Sequence, residues 1–182
     1  EKRAFFLEDA NIFEFSSPGV RSWSRRASVG DIGLKPYFSR RIGLNRDGEI
    51  VPVHVAAKVT GRVKDYNIGL MDLMLEGNDH PRNAFVGRVS RNLSTASSVG
   101  LLSTVGDPNS DQENASIGID YKFHTSEFLG KNVLQAKAFL VGTYAEQIPE
   151  TGLEPAFGMS GIFDSRDLEI SASFTEVSRY FE

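Results

Sequence analysis

Polar and apolar residues alternate along most of this chain. From 51 to 64 the odd positions read Val51, Val53, Val55, Ala57, Val59, Gly61 and Val63, and the even positions after Pro52 read His54, Ala56, Lys58, Thr60, Arg62 and Lys64. Successive side chains of a strand point to opposite faces, so such a segment carries one apolar and one charged face. Residues 114–124 repeat the pattern, with Ala115, Ile117, Ile119, Tyr121 and Phe123 set against Asn114, Ser116, Gly118, Asp120, Lys122 and His124. Less regular strand candidates lie at 38–44, 66–75, 83–92, 97–105, 132–143, 153–163 and 168–178, separated by turn formers such as Asn45-Arg46-Asp47-Gly48 and Gly106-Asp107-Pro108-Asn109. Helical spacing is confined to a weak stretch at 7–15. The expected fold class is all-β, an antiparallel meander of about nine strands, because strands in series with hairpin-length links leave no room for crossover helices.

Strand length narrows the architecture. Most candidates exceed the usual ~5–6 residues of globular strands and reach the ~9–11 that a tilted strand needs to cross a bilayer. The links also tend to alternate, with tight ones at 64–65, 93–96 and 164–167 and longer polar ones at 76–82, 106–113 and 144–152. Bacterial outer-membrane barrels show that asymmetry, although the link at 125–131 is longer than the scheme requires. Aromatic residues near strand ends, among them Tyr121, Phe123, Tyr144, Phe163 and Tyr180, suit a membrane-interface girdle. These features favour long amphipathic strands forming part of a transmembrane-type β-barrel over a soluble β-sandwich, which shares the period of two but not the strand length.

Composition trims the alternatives. A chain of 182 residues with formal charge -4 and no Lys/Arg block is a poor dedicated nucleic-acid binder. Having no Cys, it holds no disulfide, Cys-ligated metal or Cys nucleophile. No apolar run is long enough for a membrane helix, and Glu1-Lys2-Arg3 is not followed by the apolar core of a signal peptide. Both ends read like the middle of structured sequence, so the chain is expected to be a fragment of a longer one. Residues 1–36 are expected to form a pre-barrel or plug-like segment and 37–182 a barrel segment.

On a barrel, the polar face lines a wet lumen. The expected lumen-facing charges are Arg41, Lys58, Arg62, Asp72, Arg88, Asp120 and Lys122; Arg41, if it shares the lumen with Lys58 and Arg62, is the one placed to pair with Asp72 or Asp120. Trp23, Arg25 and Arg26 interleave an aromatic ring with guanidinium groups, a candidate contact for a ligand that stacks or carries charge. Asp107, Asn109 and Asp111 place oxygens at alternate positions, a weak calcium candidate that lacks the glycine and the closing Glu of a calcium loop. His54, His80 and His124 stand in no metal-binding spacing, and no nucleophile elbow or phosphate cradle is present. No catalytic residue and no cofactor is expected.

Several strings occur in one order: Lys2-Arg3-Ala4-Phe5-Phe6-Leu7-Glu8, Phe13-Glu14-Phe15, Tyr37-Phe38-Ser39-Arg40-Arg41-Ile42-Gly43, Ala57-Lys58-Val59-Thr60-Gly61-Arg62 and Tyr66-Asn67-Ile68-Gly69-Leu70. In these the chain resembles the C-terminal β-barrel region of the family called domain of unknown function 5916. The resemblance implies a Gram-negative outer-membrane location, with lipid as partner and an N-terminal module similar to family 9 carbohydrate-binding modules outside this chain. It brings no catalytic residues. The expected role is transport or surface anchoring linked to carbohydrate use. The alternatives are an extracellular carbohydrate-binding β-module, or part of a carbohydrate-active hydrolase with glycosidase-like activity.

Overall fold

The structure, a computed structural model, describes residues 5, 8–16, 50–77, 80–108, 113–145, 152–179 and 181. Eight strands form one antiparallel sheet in sequence order: β1 (Val53–Val63), β2 (Tyr66–Leu75), β3 (Arg82–Asn92), β4 (Ser98–Val105), β5 (Asn114–Phe128), β6 (Asn132–Ala145), β7 (Glu154–Asp164) and β8 (Glu169–Val177). The expected strand at 38–44 lies outside the described residues. The weak helical stretch at 7–15 narrows to a 3-10 helix, Ala10–Phe13.

The link at 125–131 is a correction. β5 runs on to Phe128, through a register shift between Thr125 and Phe128, and only the turn 129–131 joins it to β6. The bulge hides this extension from the sequence, because an inserted residue breaks the alternation that marks a strand. With the turn placed there, every link at one end of the sheet (64–65, 93–97, 129–131, 165–168) is shorter than every link at the other (76–81, 106–113, 146–153).

Register assigns each residue to a face. Along one face Ile68, Val89, Leu101, Ile119, Leu140 and Phe157 pair in a single row across β2 to β7. This face is open: Val59 is 65% exposed, Ile119 49% and Leu140 53%, although all are large and apolar. Outside the bulge of β5, the acids and bases that the strands put on this face are Asp72, Arg91 and Glu176, each within three residues of a strand end. Tyr66 and Tyr121 stand near its short-link edge, where the Arg91 guanidinium lies 5.6 Å from the Tyr66 ring centre.

The other face is packed. Toward the long links it buries Met71, Leu73, Leu75, Ala84, Val86, Val141 and Ala156, together with Phe13 and Phe15 of the N-terminal segment. Toward the short links it turns polar: Arg62 Nε donates to Asn67 Oδ1 at 2.7 Å, and the Asn67 amide reaches Ser90 and Asn92 on β3. A soluble sheet buries its greasy face and wets its polar one. Here β5 does the reverse, exposing Ile117 and Ile119 while Ser116, Gly118 and Asp120 are covered, and β1 exposes Val55 and Val59 while Lys58 and Thr60 are half-buried.

Candidate functional site

The most unusual chemistry on the packed face is a buried ion pair. Arg88 on β3 and Asp120 on β5 are 4% and 2% exposed, and Arg88 Nη2 lies 2.6 Å from Asp120 Oδ1. β4 runs between these two strands, so the side chains must meet over it. They do so at Gly100, which pairs with Asp120 in register and has no side chain to hold them apart. Desolvating two charges costs several kcal/mol per ion, and only close geometry with further hydrogen bonds offsets it. Arg88 Nη1 makes no hydrogen bond to the described residues.

The remaining Asp120 oxygen is committed to the N-terminal segment. The Ser16 backbone N–H donates to Asp120 Oδ2 at 3.1 Å, and the Arg88 guanidinium carbon stands 5.5 Å from the centre of the Phe15 ring. Phe15 packs edge-on against Phe139. Glycines make the seats. A Cβ on Gly118 would come within 2.7 Å of the Phe15 ring, and one on Gly69 within 2.8 Å of Ile12 and 3.0 Å of the Phe13 ring. The far end of the segment is held by β1, where Lys58 Nζ donates to the carbonyl oxygens of Phe5 (2.6 Å) and Glu8 (2.8 Å), and Thr60 Oγ1 donates to the Asp9 carboxylate at 2.9 Å. The ammonium also lies 4.9 Å from the Phe5 ring centre, within cation–π range.

The expected lumen charges divide accordingly. Lys58, Arg62, Arg88, Asp120 and Lys122 share the packed face, Lys122 standing opposite Ser98 and Lys137 in register. Asp72 does not join them. It has the parity of Leu70 and Met74 and is exposed on the open face, opposite Ala57 and Phe85. Among the described residues Arg88 holds Asp120, whereas Lys58 binds backbone carbonyls and Arg62 binds Asn67; the pairing expected for Arg41 falls on a residue outside the described ones. Arg41, Trp23, Arg25, Arg26, Asn109 and Asp111 lie outside the described residues, and Asp107 sits in the link between β4 and β5. Among the described residues no three His, Asp or Glu side chains cluster as metal ligands.

Sequence reasoning missed Phe15, Ser16, Gly69, Gly100 and Gly118. The glycines did leave a trace, since Gly118 falls at an even position among the polar residues of its strand, where a small residue marks a close approach.

No family model, curated protein or solved structure matches the chain. Its chemistry therefore has to be read from its own geometry. A buried acid with a cationic partner, one oxygen bonded to a backbone N–H and an aromatic ring near the cation form a clamp on a peptide segment.

The clamp yields a direct prediction. A Cβ at position 100 would lie 2.5 Å from Arg88 Nη2 and 2.8 Å from Asp120 Oδ1, inside any tolerable contact. Gly100→Ala is expected to destabilise the fold by about 1–3 kcal/mol through overpacking at the ion pair. Gly61→Ala, whose Cβ meets nothing within 4 Å, is expected to change stability by less than about 0.5 kcal/mol. Urea unfolding of both variants checks the contrast.

Proposed function

We propose that this chain is a wall segment of a bacterial outer-membrane β-barrel, of the kind found in the family its N-terminal strings resemble. Its role is transport or surface anchoring, linked to carbohydrate through a module outside this chain. The observation that carries the reading is the inverted sheet. A row of large apolar side chains spans six strands and is exposed from β3 to β7, and the face has its few charges near the strand ends, while the opposite face buries an ion pair and polar side chains. Lipid chains are a suitable neighbour for such a face, since they satisfy apolar surface without requiring polar partners. Strands of 10 and 11 residues in β1, β2, β3 and β7 suit a tilted crossing, and short links at one end with long ones at the other suit the two sides of an outer membrane. In the described sheet β1 and β8 are the edges, so closure on this reading recruits further strands or copies.

The test is refolding into detergent micelles and lipid vesicles with gel mobility read before and after heating. Heat-modifiable migration that requires detergent or lipid is expected. A monodisperse soluble monomer without either would overturn the reading.

A further inference from the structure

We propose that residues 8–16, with Phe5, are a displaceable plug latched onto the packed face at two separate points, rather than a permanent part of the core. Where the packed face is the lumen, which rests on the barrel reading above, the latch closes that lumen in the resting state.

Three observations converge. The first is how the segment is held. Within residues 8–16 the helical structure is the 3-10 turn Ala10–Phe13. Its anchors are polar contacts from two strands of the same face, with three strands between them: Lys58 and Thr60 on β1 bind Phe5, Glu8 and Asp9, and Asp120 on β5 binds the Ser16 amide. Lys58 addresses backbone carbonyls and Asp120 a backbone N–H, so much of the recognition is of main chain.

The second is strain at the anchors. Asp9 has φ 54° and Ser16 φ 50°, both in the left-handed region that L residues other than glycine seldom occupy. These are also the residues bonded to Thr60 and Asp120. Strained residues persist only where the surroundings over-determine them, so loss of either anchor lets the segment relax away from the sheet.

The third is the state of the latch. Arg88 on β3 holds Asp120 at 2.6 Å independently of the N-terminal segment, which among the described residues contributes only the Ser16 amide to that carboxylate. The ion pair that orients Asp120 is made between strands of the sheet, so it stays in place when the Ser16 amide leaves and keeps the acceptor ready for its return. Gly69 and Gly118 carry no side chain beneath Ile12, Phe13 and Phe15, so neither position interlocks with the segment.

The chain contains no Cys, which makes a single introduced thiol a clean reporter. Ser16 is buried and its hydroxyl has no hydrogen-bond partner among the described residues, so Ser16→Cys is nearly neutral and its thiol reacts only when the segment leaves. The full chain, folded in detergent micelles, is labelled with a charged maleimide. Adding Lys58→Met and Thr60→Val, which remove the β1 anchor and leave the ion pair intact, is expected to raise the labelling rate at least ten-fold. Amide exchange in the ladders of β3, β4 and β5 should stay unchanged. Asp120→Asn, removing the charge at the other anchor, should act in the same direction. Should it fail to fold, the β1 variants decide alone. Labelling that is unchanged, or that rises only together with ladder exchange, would overturn the proposal, because the segment would then open only by global unfolding. Vesicle insertion of the same samples, measured separately, reports on the barrel reading and not on the latch.

Discussion

Asp120→Ala is expected to lower the unfolding free energy by about 3–5 kcal/mol, the largest single-residue effect in this chain. The cost does not come from losing an attraction alone. Arg88 is 4% exposed, and without the carboxylate its guanidinium would be a buried charge with no counter-ion across Gly100. The Ser16 amide would lose its acceptor in the same step. Removing both charges should therefore hurt less than removing one. The combined Arg88→Met and Asp120→Leu variant is expected to recover most of the loss, since apolar replacement of a whole buried pair is often neutral or stabilising. Urea midpoints for Asp120→Ala, Arg88→Met and the combined variant measure the coupling. Additive losses would mean that the two side chains do not act as a unit.

Ile119→Arg is expected to block stable folding in vesicles, at a cost of about 2–4 kcal/mol if position 119 lies near the bilayer midplane. Ile119 is flanked in register by Leu101 and Leu140 in the central apolar row, so an arginine there has no polar neighbour to meet. The size of the effect separates the two environments. On a face exposed to water, a substitution at a residue already 49% exposed stays within about 0.5 kcal/mol. Folding yield in lipid vesicles, read as the heat-modifiable fraction, checks it. A variant that folds as well as the parent would place this face outside the membrane.

Much of the sheet could be read from the alternation. β2 runs over 66–75, as its pattern indicates, and the seven other described strands begin or end within a few residues of their sequence limits. The misses have specific causes. Thr125, Ser126 and Glu127 are all polar, so the far end of β5 looks like a loop until the register shift is seen. Asp72 reads as a lumen charge because it is charged, but its neighbours Leu70 and Met74 set its parity, and the exposed face claims it. The buried pair was visible only as two charges among several. Nothing local indicates that Arg88 rather than Lys58 or Arg62 faces Asp120, because that choice depends on which strands β4 separates.

What the sequence determined by itself is membership: which residues share a face, and that the faces belong to long strands joined by hairpins. A two-residue period is a local property, and neighbouring residues are enough to establish it. The tertiary structure decided which face is covered, because covering requires something from elsewhere in the chain. Phe13, Phe15 and Ser16 supply it by docking on strands more than fifty residues away, over glycines that leave room for them. Burial, and with it the distinction between a solvated charge and the ion pair of Arg88 and Asp120, is non-local, so no period in the sequence encodes it.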